Sequence, residues 1–546
     1  MRCLIAAALV SAVLPAYAVE PDAPPRLIDA SEAFTITLVN TVEQRARAGK
    51  PAHKRIYDGI AAYYRQTGGR PVWIADGGFT SAVDGLRKAI SRAETFALSP
   101  ADYSVPNAIP AANPAYPRDG VAAAEVDVSI AAVLYATHAS AGRLTPSDVD
   151  PNFDPSPDIP NPTAVLAAAR ENPDGVQAQL ESYHPKHPQF LALLAELNNP
   201  GSAIKTQAPL PAYGPALKLG MTHPDVAVIR QRLRVPVPPG GTADTFDETL
   251  SAKLKDYQKE HGWRPDGVVN VMVRQAMQVP PPPTRKMLLA NIERWRWMPR
   301  DLGSTHIRIN LPEYLVRIIR NGEETFRERV VIGSTGYQTP IFSNRMRTVV
   351  INPYWNIPAS IAENEILPLV QRDPGYLSRN GMEALVNGYG GTPVAASEID
   401  WSNVDAADVV LRQVPGPGNS LGELKFLFPN RHNVYLHDTP QKYLFNEVNR
   451  PFSHGCMRVR NPRRLAEAVL GWSPERVQEA IAKGGPNQEV PVEPRLPVHV
   501  MYFTVWVDAD GTVQTFRDVY GHDRKVADAL DGRILSAENR SPQENY

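Results

Sequence analysis

Cysteine is almost absent from this chain: 546 residues contain two, Cys3 and Cys456. That scarcity excludes a disulfide framework, so large apolar cores must supply the stability of whatever folds here. A surplus of charge of either sign is also missing. Lys and Arg number 57 against 58 for Asp and Glu, a formal net charge of −1, which gives no electrostatic case for nucleic acid or an anionic lipid surface as partner. Long hydrophobic runs are lacking too. After the N-terminus no stretch reads as the ~20 apolar residues a membrane-crossing helix needs.

The early apolar stretch is shorter than that. "CLIAAALVSAVL" follows Arg2 and leads into "PAYA", with Ala16 and Ala18 in a small-x-small arrangement. This pattern reads as a signal peptide over residues 1–18, removed on export. Its loss takes away Arg2 and Cys3, leaving a net charge of −2 and one thiol, Cys456. A lone cysteine is either an inert buried residue or is present for its reactivity.

What the chain does have is ordinary folded-protein composition, 43% hydrophobic and 21% charged, with many prolines, 53 in all. The length suggests three or four units, and the prolines suggest long irregular connections between them. Residues 19–200 read as a helical scaffold. In "HKRIYDGIAAYYRQ", Ile56, Ile60, Tyr63 and Tyr64 recur at helical spacing, and "EVDVSIAAVLYATHASAGRL" and "TAVLAAAREN" continue the pattern. Nothing there groups an acid, a base and a nucleophile, and Trp73 reads as core. After a linker at 198–216 comes a compact helical unit over 214–279. Thr222 is placed to cap a helix with Pro224 in its first turn, and Val226, Ile229 and Leu233 form its stripe. Leu250, Leu254 and Tyr257 recur on a second helix before an Asp266-Gly267 turn. This unit resembles the small three-helix peptidoglycan-binding domain, departing from it at Asn270 and Val273; a purely structural role competes with wall binding.

Beyond "VPPPPTR" the period changes. "YLVRIIRNGEETFRERVVIG" places Asn321-Gly322 between β-rich arms, a hairpin signal, and "THIRINL", "RTVVINPYW" and "HNVYLHD" are further strands. These define a mainly-β domain over 286–510, with an insertion at about 359–422 that reads as an ordered cap because "SIAENEILPLVQ" is helical in pattern. Residues 511–546 form a C-terminal extension.

The chemistry-bearing residues lie in this domain. In "NVYLHD" a strand that buries Val434 and Leu436 turns Tyr435 and His437 to the other face. Asp438 then points away from His437, so a backbone carbonyl is the expected partner of the imidazole. Nineteen residues after His437, "SHGCMRV" brings Ser453, His454, Gly455, Cys456 and Arg458 together, just before a helix that Asn461 can cap with Pro462 at its first position. If 453–459 runs extended, His454, Cys456 and Arg458 share a face. Nearby N–H groups and Arg458 would lower the thiol pKa; His437 or His454 could be the base; and Gly455 lets backbone N–H groups approach an oxyanion.

At these residues the sequence resembles the L,D-transpeptidases. "YLHDTP" and "SHGCMRV" fit their paired signature, "VVIGSTGYQTP" fits upstream, and "ERWRWMP", "NPYWNIP" and "PGPGNSLGELKF" look like the large periplasmic type. The resemblance implies a multidomain protein: helical scaffold, three-helix peptidoglycan-binding domain, and a mainly-β catalytic domain with an inserted capping subdomain. It implies that Cys456 attacks the third residue of a donor stem tetrapeptide, that His437 helps form the thiolate and protonates the leaving D-Ala, and that N–H groups around Gly455 and Cys456 hold the oxyanion. Ser453 and His454 shape the loop, while Arg458 and Tyr435 are candidates for binding substrate. No cofactor is implied; peptidoglycan stem peptides are the implied partners, carbapenem-type inhibitors the implied ligands, and the periplasm the implied location. Two rival readings stand beside it: a metal-dependent wall hydrolase using His437, His454 and Cys456, and a non-catalytic wall-binding protein.

Overall fold

The computed structural model describes residues 30–110, 118–200, 208–261, 263–278, 282–403, 409–508 and 510–532. The expected signal peptide and the last residues of the C-terminal extension lie outside them.

Residues 30–200 are helical, as their period predicts. The helix Asp119–Ala141 (α1) is buried around nearly its whole circumference, because Ala and Val at most positions let neighbouring helices approach from every side. By length and composition α1 could cross a membrane, contrary to the sequence expectation, but 72% of its apolar window is buried inside the protein. Trp73, Tyr63 and Tyr64 lie in the same core. Tyr64 donates to the buried Glu125 carboxylate at 2.9 Å, and Glu125 also accepts the Val72 and Trp73 amides. Burial raises Glu125 to a pKa of about 7 against the pull of those donors.

Residues 210–277 form a separate small core with Val226, Ile229, Leu250, Leu254 and Val273 fully buried. The expected stripes are present, with one correction. His223, not Thr222, caps the first helix, its Nδ1 accepting the Asp225 N–H at 3.1 Å. Asn270 is the cap of the third helix and accepts from Val273 N–H at 2.9 Å, so the departure from the resembled domain has a local structural use.

Helix Arg285–Arg296 (α2) joins these parts to the β domain, and its sequence "ERWRW" is buried throughout. Trp295 stacks on Phe503 at 4.3 Å, and Trp297 packs against Phe153. Glu293 accepts the Leu144 N–H of the scaffold at 2.9 Å and lies 3.4 Å from Arg296. Arg296 also donates to the Phe96 carbonyl, and Arg294 pairs with Asp523.

The catalytic-domain sheet has nine strands: β1 Thr305–Asn310, β2 Leu315–Arg320, β3 Glu323–Gly333, β4 Phe342–Ile351, β5 Leu424–Leu427, β6 Leu436–His437, β7 Pro451–Ser453, β8 Met457–Val459 and β9 Gln488–Met501. Their order is β7-β3-β8-β6-β5-β4-β9-β1-β2, and a β2–β3 pairing closes the ring. Closure leaves no long free edge and encloses Ile307, Val330, Val349, Phe426, Leu436, Met457 and Val498. The predicted hairpin is the β2–β3 turn. Asn321 and Gly322 both have positive φ, 49° and 85°, as a two-residue turn matched to strand twist requires.

The insertion between β4 and β5 is an ordered cap. Its own four-stranded sheet, with strands at Trp355–Asn356, Met382–Val386, Thr392–Val394 and Val409–Gln413, packs helices from 359–379 over Ile357, Ile366, Val370, Leu377 and Trp401. Residues 510–532 are integral to the domain: the strand Val513–Thr515 pairs with Val505–Val507, and Tyr520 and Val526 enter the main core.

Glu293 and Arg296 tie α2 to the scaffold from inside the protein. Truncation by Glu293→Ala strands the buried Arg296 guanidinium and is expected to cost about 3–5 kcal/mol, read as a lowered denaturant midpoint, with Glu293→Gln less damaging.

Candidate active site

The site is built on β6 and β8, which pair in parallel with Leu436 opposite Met457 and His437 opposite Arg458. Leu436 and Met457 are fully buried in the barrel. Side chains alternate across a sheet, so Tyr435, His437, Cys456 and Arg458 all stand on its other face. On the far side of β6, Lys425 of β5 is the register partner of His437. One sheet face therefore carries Lys425, Tyr435, His437, Cys456 and Arg458.

The turn before Cys456 is held from several sides. Residues 453–459 are not one extended strand: β7 ends at Ser453, Gly455 adopts φ +105°, and β8 begins at Met457. Only glycine takes that φ without strain, and the turn separates His454 from Cys456 and Arg458. Ser453 Oγ donates to the Cys456 carbonyl at 2.5 Å and accepts the Gly455 N–H at 3.3 Å. The Gly455 amide is thus occupied in this state rather than free for an oxyanion. Thr339 Oγ1 donates to the Gly455 carbonyl at 2.7 Å and accepts from Gly333 N–H at 2.9 Å, while Tyr520 Oη donates to the Gly333 carbonyl at 2.6 Å. This explains "VVIGSTGYQTP": a Cβ on Gly333 would lie 2.1 Å from the Tyr337 carbonyl oxygen, so only glycine lets the loop fold back to present Thr339.

His437 Nδ1–H donates to the Asp438 carbonyl at 2.5 Å, the expected backbone partner. That bond fixes the tautomer and leaves Nε2 with its lone pair. Asp438 is no triad member; its carboxylate takes the Glu423 and Thr439 amides and the Lys442 ammonium. Burial pushes His437 down to a pKa of about 3, helped by the positive charge of Arg458, with Lys425 and Lys442 contributing less. The imidazole is therefore neutral at physiological pH.

Cys456 is half-buried, with Sγ 4.0 Å from the Asn433 carbonyl oxygen. Burial raises its pKa, and the opposing pull of Tyr435, Lys425 and Arg458 is smaller. This corrects the expected thiolate: desolvation outweighs the local positive charge, and the resting pair is a neutral thiol beside a neutral imidazole. Among the described residues no hydrogen bond joins Sγ to His437, and such bonds are often loose before substrate arrives.

The remaining predicted residues divide. His454 points to the cap, with Nε2 2.7 Å from Glu365 and its ring 4.7 Å from Tyr337; it links the nucleophile turn to the insertion. Arg458 donates to Gln441 Oε1 at 2.5 Å, and its Nε is buried without a partner. Asn461 sits at the helix N-cap, but its side chain donates to Glu328 instead of capping. His437, His454 and Cys456 do not converge as ligands, and the described residues hold no group of three or more His, Cys, Asp or Glu side chains suited to a metal. Sequence reading passed over Lys425, although it lies in the quoted "LGELKF" and alternates with the buried Leu424 and Phe426. Its signal was the strand period.

A half-buried thiol and a buried, neutral imidazole thus share one outer face of the barrel. Residues 304–500 match the family model of the L,D-transpeptidase catalytic domain and residues 58–197 match that of a scaffold domain. Both matches agree with the resemblance the motifs carried. It is 33% identical over 269 residues to a putative L,D-transpeptidase of Haemophilus influenzae, covering 47% of this chain and 54% of that protein; the chain spans about half the length of this curated relative. Solved structures with some likeness include an L,D-transpeptidase from Mycobacterium smegmatis, 12% identical over 36% of this chain and 58% of that one, TM-score 0.18. Another is an L,D-transpeptidase in complex with imipenem, 14% identical over 36% of this chain and 59% of that one, TM-score 0.17.

A raised thiol pKa has a direct readout. Alkylation of Cys456 by iodoacetamide should keep rising with pH past about 8.5, the ordinary thiol range. A plateau in the slightly acidic range would instead mark a thiolate–imidazolium pair.

Proposed function

We propose that this protein is a peptidoglycan L,D-transpeptidase in which Cys456 is the nucleophile and His437 the acid–base. The observation that carries the reading is the shared sheet face of Cys456 and His437, with His437 Nδ1 committed to the Asp438 carbonyl and Nε2 left to move a proton. Substrate binding closes the gap between Sγ and Nε2. The thiol proton passes to Nε2 as Sγ attacks the carbonyl carbon of the third residue of a donor stem tetrapeptide. The electron pair moves to the carbonyl oxygen, which the Cys456 N–H is placed to receive, joined by the Gly455 N–H if it leaves Ser453. Collapse breaks the C–N bond, the imidazolium proton goes to the departing D-Ala amine, and a thioester remains. The amine of an acceptor stem then attacks the thioester, His437 takes its proton, the C–S bond breaks as the cross-link forms, and His437 returns the proton to Sγ.

The low pKa of the resting His437 makes its imidazolium a ready donor to the leaving amine and makes the free imidazole a weak base toward the thiol, so the first proton transfer is the demanding one. Arg458, held by a neutral glutamine rather than a carboxylate, is free to pair with a substrate carboxylate, and Tyr435 lines the same face. The cap, tied to the nucleophile turn through Glu365 and His454, walls the donor site. We further propose that the unit around residues 210–277 holds the enzyme to the wall, that carbapenem-type lactams acylate Cys456, and that the protein is exported to a periplasm.

Mass spectrometry of the mature protein with disaccharide-tetrapeptide tests this. Wild type should show a transient adduct of the donor minus D-Ala on Cys456 and dimers cross-linked between third residues, with both lost in Cys456→Ala. Conversion by the mutant, dependent on added zinc, would support the metal rival instead.

A further inference from the structure

Lys425 stands on the sheet face that carries Cys456 and His437. Its ammonium sits 4.1 Å from the centroid of the Tyr435 ring, and the strand register sets it beside His437. The side chain is partly covered, and no hydrogen bond or ion pair to it is found among the described residues. A desolvated cation on an aromatic face, with no carboxylate in hydrogen-bond contact and only the exposed Glu489 acting on it from further off, is costly to keep unless something nearby becomes negative. The charged and titratable groups around it are Tyr435 just before β6 and His437 on it, Cys456 and Arg458 around β8, Glu489 on β9, and Tyr389 of the cap, which bears on Tyr435. Of these, Cys456 is the group that must gain negative charge in the proposed reaction.

We propose that Lys425 is the cation that stabilises the negative charge forming on Cys456 Sγ, acting through space and across the Tyr435 ring. It is a positioning residue: no bond to it forms or breaks, and the thiol proton still goes to His437 Nε2. The same positive field disfavours the imidazolium, so Lys425 makes the proton unwelcome on both groups and hastens its passage to the leaving amine. Burial lowers the pKa of Lys425 while Cys456 and Glu489 hold it up, consistent with a charge kept by its neighbours.

The proposal rests on Cys456 being the nucleophile, and its test reads thiol chemistry without any substrate. Failure to cross-link peptides would leave it standing, and its own failure would leave the transpeptidase reading intact. The pH–rate profile of Cys456 alkylation is measured by mass spectrometry on the full mature chain, for wild type, Lys425→Met and Lys425→Arg. Lys425→Met should slow alkylation at pH 7.5 about tenfold, a rise of about one unit in thiol pKa, at an unchanged melting temperature; Lys425→Arg should restore most of the rate. An unchanged profile in Lys425→Met, or an arginine variant as slow as the methionine one, overturns the proposal. Glu489→Gln, an exposed change, is an arm independent of folding at position 425. At low ionic strength it should speed alkylation, because Lys425 loses a competing carboxylate, and an equal or slower rate counts against the assignment.

Discussion

The two-residue parallel pairing of β6 with β8 is the constraint on which the site depends. It puts Leu436 and Met457 into the barrel together, and by alternation delivers Tyr435, His437, Cys456 and Arg458 to the opposite face. A slip of one residue would send the nucleophile inward and a methionine outward. So short a pairing cannot hold itself. Its register is secured by β5 on one side and β3 on the other, and by the Gly333–Thr339–Gly455 network, which fixes where β8 may start.

Electrostatically the site is built against ionisation at rest. Burial holds His437 neutral and Cys456 protonated, while Lys425 and Arg458 bias the surroundings toward negative charge. A thiol kept protonated is shielded from adventitious oxidation and alkylation, since the thiolate is the reactive form.

The cap and the scaffold meet this site by different routes. The cap touches the nucleophile turn directly, through Glu365 and His454. The scaffold reaches the barrel through α2, where each charge of "ERWR" is matched: Glu293 with a scaffold amide and Arg296, Arg294 with Asp523. A helix with two buried arginines is stable only where each finds an acceptor, and the acceptors here include segments distant in sequence.

The sequence alone determined the helical and β regions, the hairpin at Asn321-Gly322, the helical pattern in the insertion, and the placing of Tyr435 and His437 on one strand face, because period, turn residues and motif spacing are local properties. It also spoke against Asp438 as the partner of His437, since an adjacent aspartate on a strand points away, and the structure supplied the Asp438 carbonyl instead. Tertiary structure decided what depends on neighbours far along the chain. The turn at Gly455 broke the extended run expected over 453–459 and sent His454 to the cap. Glu328 took Asn461 from its capping role, and His223 displaced Thr222 as a cap. Above all, the protonation state of Cys456 could not be read locally: the residues flanking it in sequence argue for a thiolate, and burial by strands from elsewhere in the chain outweighs them.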